Sequence, residues 1–138
     1  MKDEYITKDE IEDRQLNEFM QAHEGSCGSL FLFKGIVRRD KTEKGFVKEI
    51  VYEAYEEMAE TEMENIKRRT LGKFEVRDIF IRHRIGSIRV GEVSLLAAVL
   101  SAHRENGIRA LDYLIDEIKQ KVPIWKKEIF EDGSYRWR

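Results

Sequence analysis

Residues 93–102 form a long stretch of the chain without a charged side chain. A run of this length without polar alternation is typical of a strand that is buried on both faces. After it, apolar residues recur at intervals of three and four, which is the period of an amphipathic helix. These helical positions are Ile108, Leu111, Ile115, Ile118 and Val122. The pattern therefore predicts a buried strand followed by a helix, and Pro123 ends that helix.

Two further helices are predicted on the N-terminal side of this unit. Thr7 and Glu10 have the spacing of a capping box, so the first helix is predicted to start there and to continue to about His23. The second helix is predicted over residues 56–71, where Gly72 is expected to end it.

Strands are predicted between and after these helices. The apolar segments 29–37 and 46–55 are expected to pair with each other, and the polar segment 40–45 between them is predicted to be a mobile loop. A third strand is predicted over 73–86, and Asp132-Gly133 has the composition of a hairpin turn. Because hairpins are mixed with crossing helices, the pattern indicates the α+β class.

Charge and composition restrict the kind of protein this is. Lysine and arginine number 25 against 27 aspartate and glutamate, so the net charge of −2 excludes a general attraction to nucleic acid or to membranes. An anion site must therefore be a local concentration of cations. The N-terminal segment is too charged for a signal peptide, and no apolar run approaches about 20 residues. A cytoplasmic, soluble single domain over residues 1–138 is expected.

Cys27 is the only cysteine, which excludes an internal disulfide framework and a multi-cysteine zinc site. It stands in a predicted turn before a strand and is expected to be structural. The chain has no P-loop, no dinucleotide-binding glycine motif and no His–carboxylate spacing that would indicate a metal site.

Cationic residues stand near both ends of the last predicted helix. His103 and Arg104 lie where the buried strand passes into the helix, a type of junction where functional side chains are frequent. Lys119 lies in the last part of the helix, and Lys126 and Lys127 follow it. The free backbone N–H groups of a helix N-terminus add to the attraction for an anion. An anion-binding site is therefore predicted in this region.

Each of these residues also has a purely structural explanation. His103 and Arg104 can cap the helix and meet solvent, and a lysine at the edge of an apolar helix face usually extends its ammonium group to water. Lys126 and Lys127 are neighbours in a predicted strand and point to opposite faces, so at most one of them joins Lys119. From these residues alone, both explanations stay open.

Several segments together resemble a known family. They occur in order through most of the chain: GIVR at 35–38, VYEAYEEMA at 51–59, HRIG at 83–86, GE at 91–92, SAHR at 101–104 and PIWKKE at 123–128. This set is similar to the large, MoaE-type catalytic subunit of molybdopterin synthase. SAHR followed some twenty residues later by PIWKKE is the most specific part of the resemblance.

The resemblance implies a fold, a reaction and partners. The implied fold is a single domain of the α/β-hammerhead type with a mixed or antiparallel sheet and about three helices. The implied enzyme is a sulfurtransferase that converts precursor Z, a cyclic pyranopterin monophosphate, to molybdopterin. The implied sulfur donor is a small ubiquitin-like carrier subunit of the MoaD type, with a thiocarboxylate on its C-terminal Gly-Gly. Two large subunits are expected at the centre of a heterotetramer, without a metal or cofactor.

The resemblance also implies roles for individual residues. Lys119 and Lys126 match catalytic positions, where they would orient the thiocarboxylate, stabilise an oxyanion and move protons. The matched substrate-binding positions are Arg38, His103, Arg104, Lys127 and Glu128. Arginine is well suited to grip a phosphate with two parallel hydrogen bonds.

Two alternatives belong to other functional classes. One is a non-enzymatic module that binds RNA or a nucleotide through Arg38, Arg39 and the 40–45 loop, although the acidic balance of the chain argues against it. The other is a scaffold that only binds a ubiquitin-like partner, which would leave Lys119 and Lys126 without a chemical task.

Overall fold

A computed structural model describes residues 4–138 and contains nine strands and three helices in that range. In chain order these are β1 Ile6–Thr7, α1 Asp13–Gln21, β2 Ser29–Ile36, β3 Lys41–Thr42, β4 Gly45–Ala54, α2 Glu56–Lys73, β5 Asp78–Arg84, β6 Gly86–Arg89, β7 Val93–Ser101, α3 Arg104–Lys121, β8 Ile124–Phe130 and β9 Tyr135–Trp137. One strand pair is parallel and the others are antiparallel, so the predicted α+β class with mixed sheets and three helices is confirmed.

The first sheet has the order β1-β5-β7-β2 and carries the main core. Its central strand β7 is buried from Ser94 to Ser101, which confirms the doubly covered strand expected from the uncharged stretch. Helices α2 and α3 cover one face, where Met63 and Leu114 are fully buried. Helix α1 covers the other face by placing Leu16 against Leu96.

The second sheet joins β3, β4, β8 and β9, with β6 paired to β4. It has a smaller core that includes Val47, Ile88 and Phe130. The predicted hairpin turn is confirmed between β8 and β9: Gly133 has a φ of +89°, and the Asp132 carboxylate accepts the backbone N–H of Ser134 at 2.8 Å. A left-handed φ is inexpensive for glycine, which explains its place in this turn.

The predicted pairing of the second and fourth strands is wrong. Strand β2 pairs with β7 in the first sheet, whereas β4 pairs with β8 in the second. The segment between them is a tight hairpin rather than a mobile loop. Strand β3 pairs with the start of β4, Gly45 has a φ of +105°, and the Thr42 hydroxyl donates to its carbonyl at 2.8 Å.

The capping-box prediction is also wrong. Thr7 belongs to β1, because the backbone N–H of Ile85 donates to its carbonyl at 2.8 Å and holds it extended beside β5. Helix α1 begins only at Asp13. Gly72 does not end α2, which continues to Lys73 and ends where Phe74 becomes extended. The end of this helix therefore needs no left-handed residue.

Helix α3 has the predicted extent but a different buried face. Its buried residues include Gly107, Ala110 and Leu114, whereas Ile108 is 54% exposed. The reason is a close approach to β2: a Cβ atom at Gly107 would lie 2.4 Å from ring atoms of Phe31. Because only glycine permits this contact, the side of the helix that carries Gly107 faces inward and Ile108 lies at the edge.

Candidate active site

A cavity of about 550 Å³ lies where the two sheets meet, beside the C-terminal end of α3. Strands β2, β4 and β8 line it together with the last residues of α3. Four of the residues singled out from sequence contribute to its wall: Arg38, Lys119, Lys126 and Glu128. The cations Arg38 and Lys126, which are 88 positions apart in the chain, thus share one site.

Lys126 is the most perturbed of these cations. It stands on β8 opposite Tyr52 of β4 and is only half-exposed. Burial lowers the pKa of its ammonium group, and the positive charges of Arg138 and Lys119 lower it further. Both effects disfavour the charged form, so Lys126 loses its proton more easily than a surface lysine does.

Lys119 and Arg38 line the same cavity as Lys126, and the charge of each acts on it. The Lys119 Nζ atom lies 5.8 Å from the centre of the Phe33 ring, a distance at which an ammonium group is attracted to the ring face. Arg38 is largely exposed, and its Nε atom lies 3.3 Å from the Asp40 carboxylate. An exposed pair of this kind is weak, so Arg38 can exchange Asp40 for a bound anion at little cost.

The buried imidazole of His83 forms part of the cavity wall, although no role was predicted for it from sequence. Its Nδ1 atom lies 2.9 Å from the Arg84 carbonyl, which can only accept, so Nδ1 carries the proton in the neutral ring. Burial lowers the pKa of His83 to about 4, and the charge of Lys126 acts in the same direction. The Tyr52 ring packs edge-on against it at 5.2 Å. In the sequence, His83 was marked only by its place in the HRIG segment of the family resemblance.

The low pKa of His83 predicts a loss of stability in mild acid. In the unfolded chain this imidazole takes up a proton near pH 6.5, but in the folded protein only near pH 4. Between those values the unfolded state binds more protons, so the free energy of unfolding falls as the pH falls, by about 3 kcal/mol in total. His83→Gln is expected to remove this part of the slope in urea titrations between pH 7 and 4. Equal slopes in the two proteins would contradict the prediction.

Glu128 is 2% exposed and is held by two arginines. Its Oε1 atom accepts from Arg136 Nε at 3.0 Å, and its Oε2 atom accepts from Arg138 Nη1 at 3.4 Å. Arg138 lines the cavity and Arg136 does not. The carboxylate predicted as a substrate contact therefore has its own cationic partners within the protein.

The other three predicted site residues lie outside this cavity. Lys127 points to the opposite face of β8, where its Nζ atom lies 4.9 Å from the Tyr135 ring centre and 5.2 Å from that of Trp137. This agrees with the expectation that only one of the neighbouring lysines joins Lys119. His103 and Arg104 are exposed at the start of α3, which is 18 residues long, so the helix separates them from the cavity by about 25 Å.

Within residues 4–138, no group of three or more His, Cys, Asp or Glu side chains is arranged to hold a metal ion. None of the helices in this range is long and apolar enough to cross a membrane. Cys27 does not line the cavity, and its Sγ atom lies 3.6 Å from the Ser26 hydroxyl. The polar groups that line the cavity include lysine and arginine cations, the neutral imidazole of His83 and the Glu128 carboxylate.

Comparison with known proteins adds the family to this geometry. The family model described as "MoaE protein" matches residues 6–121. This chain belongs to the MoaE family. The catalytic subunit of molybdopterin synthase from Pyrococcus abyssi is 39% identical to this MoaE chain over 110 residues, which are 80% of the chain and 74% of that protein. The subunit of the same name from Bos taurus is 43% identical over 112 residues, which are 81% of the chain and 59% of that longer protein.

Solved structures share the fold of this MoaE chain. Molybdopterin synthase from Staphylococcus aureus superposes with a TM-score of 0.90 at 36% identity and covers 100% of this chain and 98% of its own. A complex of subunits 1 and 2 of molybdopterin-converting factor from Helicobacter pylori contains a chain with the same fold, with a TM-score of 0.78 at 21% identity over 96% of this chain and 88% of that chain. The resemblance stated from six short segments is thereby confirmed.

Proposed function

We propose that this chain is the catalytic subunit of a molybdopterin synthase. It transfers sulfur from a thiocarboxylated carrier to precursor Z and so forms the dithiolene of molybdopterin. The observation that supports this most directly is the cationic cavity lined by Arg38, Lys119 and Lys126 in a member of the MoaE family. Both reactants are anions, since the precursor carries a phosphate and the carrier tail a thiocarboxylate, and cations in a sheltered cavity attract both.

The lysines divide the chemistry according to their surroundings. Lys126 has a lowered pKa, which suits it to give and take protons as sulfur adds to the pterin side chain. Lys119 lines the same space, where it orients the thiocarboxylate and stabilises an oxyanion. Arg38 holds phosphate oxygens at the cavity mouth.

The assembly that fits this function is a heterotetramer in the cytoplasm. Two copies of the chain form a central dimer, and a small ubiquitin-like carrier of the MoaD type binds at each end. The carrier tail must enter the cavity to bring its sulfur to the precursor. The exposed apolar residues Ile36 and Trp125 at the rim suit contact with such a tail.

The thiol of this chain has no task in such a reaction, because the sulfur arrives on the carrier. Cys27→Ser is therefore expected to retain most of the wild-type rate in a turnover assay with thiocarboxylated carrier. Loss of activity in the serine variant, together with a persulfide on Cys27 in mass spectra of the wild-type protein, would contradict the mechanism.

The proposed function is tested by incubating the purified chain with thiocarboxylated carrier and precursor Z. Dithiolene product is expected from the complete mixture, and none is expected when carrier with an ordinary C-terminal carboxylate replaces the thiocarboxylated form. A chain that binds the carrier but never forms product would instead be a binding scaffold.

A further inference from the structure

Arg138 reaches the cavity without any signal in the sequence that predicted it. Its backbone N–H donates to the carbonyl of Lys126 at 2.8 Å, which continues the pairing of β9 with β8 up to the cavity wall. Its guanidinium group lines the cavity and is about half-exposed. This cation is thus fixed beside the lysine to which the proton chemistry is assigned.

The buried carboxylate of Glu128 holds the Arg138 guanidinium in place. One oxygen of Glu128 binds Arg136, and the other binds Arg138 at 3.4 Å. The contact to Arg138 is long and uses one corner of the guanidinium, so the remaining N–H groups stay available to a ligand. The contact to Arg136 is shorter, and Arg136 is bound on its far side by Glu43 at 2.6 Å. Of the two arginines, only Arg138 therefore has donors to offer in the cavity.

We infer that Arg138 is a further substrate-binding residue, which donates hydrogen bonds to an oxyanion held next to Lys126, and that Glu128 positions Arg138 rather than contacting the substrate. This inference rests on the proposed function for the identity of the oxyanion. The anion has two possible sources, the phosphate of the precursor and the carboxyl end of the carrier. A guanidinium group presents paired donors to either one.

Two glutamine variants separate binding from support of the fold. Arg138→Gln removes the positive charge of Arg138 from the cavity. Arg136→Gln removes the other partner of the Glu128 carboxylate and leaves the cavity wall intact. Loss of a charged hydrogen bond to a bound anion typically weakens binding about tenfold or more. Arg138→Gln is therefore expected to raise KM about tenfold at nearly unchanged kcat, because the contact exists before and during the reaction. Arg136→Gln is expected to stay within about twofold of wild type.

The source of the oxyanion follows from which reactant is affected. A higher KM for the precursor alone assigns Arg138 to the phosphate, and a higher KM for the carrier alone assigns it to the carboxyl end. An Arg138→Lys variant should recover part of the affinity. The limb of the pH–rate profile that reports Lys126 should also move to higher pH in Arg138→Gln, since removing a positive neighbour raises the pKa of Lys126. Arg136→Gln, whose charge lies outside the cavity, should not produce this shift.

Inorganic phosphate gives a second measurement that does not depend on turnover. Phosphate is expected to raise the Tm of the wild-type chain and of Arg136→Gln, but much less that of Arg138→Gln. If the wild-type chain makes no product yet shows this difference, the proposed function fails while the anion site stands. Equal KM changes in the two variants, or phosphate protection that does not depend on Arg138, would overturn the inference.

Discussion

Replacing Lys126 with alanine is expected to lower kcat for dithiolene formation by at least about 100-fold, the usual scale for losing a positioned proton-transfer or oxyanion group. Lys126 is half-buried among other cations, and its lowered pKa lets it exchange a proton where a surface lysine would stay charged. Its neighbour Lys127 does not replace it, since Lys127 points to the opposite face of β8. Single-turnover assays with preloaded carrier measure the effect on the chemical step.

Two lysines of α3 provide the comparison within the same helix. Lys119→Ala should also cause a severe loss, because Lys119 lines the cavity. Lys121→Ala should be mild, because its Nζ atom lies 3.0 Å from Glu117 on the side of the helix that faces away from the cavity. Similar losses for Lys119→Ala and Lys121→Ala would show that the catalytic pair is wrongly assigned.

Mixing inactive Arg104→Ala subunits with inactive Lys126→Ala subunits is expected to restore activity. Arg104 is separated from the cavity of its own chain by the length of α3, so it can act only in the cavity of a second copy. In a mixed dimer, one cavity combines an intact Lys126 with an intact Arg104 from the other copy. Free exchange at equal amounts should then recover about one quarter of the wild-type rate, since half of the dimers are mixed and each has one intact site.

The surface of α3 favours this arrangement. Arg104, Ile108, Ile115 and Lys119 are spaced by four, seven and four residues, so they form one stripe along the helix. Ile108 is 54% exposed at this stripe, and α2 packs on the other flank, where Arg69 lies 3.2 Å from Glu117. Two such stripes packed antiparallel about a two-fold axis cover the isoleucines and bring Arg104 of one copy to Lys119 of the other.

Strand β2 supports the same symmetry. It is the end strand of the first sheet, and no strand in residues 4–138 pairs with its outer side. Long apolar edges readily pair with another chain. Antiparallel pairing of two β2 edges would set Ser29 of one copy beside Ile36 of the other, which moves the start of one α3 toward the cavity of the other copy.

A matched control separates a shared cavity from simple mixing. Lys119→Ala and Lys126→Ala remove residues from the same cavity of one chain, so their mixed dimers contain no intact site and should stay inactive. Native mass spectrometry establishes that subunits exchange in both mixtures. Freely exchanging Arg104→Ala and Lys126→Ala subunits that stay inactive would rule out the shared cavity.

The sequence alone determined those features that depend on neighbouring residues. The uncharged run 93–102, the period of α3 and the Asp132-Gly133 turn each specify a local conformation, and the structure has all three. The short segments that carry Arg38, Arg104 and Lys126 also identified the family, because these residues stand in recognisable local surroundings.

Only the tertiary structure decided how these elements meet. The pairing of β2 with β7, the inward side of α3 at Gly107 and the place of Arg138 beside Lys126 all depend on contacts between residues distant in the chain. The apolar period of α3 could not reveal that a ring of β2 would occupy the space of a side chain at Gly107. Burial gave His83 its low pKa, and burial is a property of the assembled sheets rather than of the segment that contains the residue.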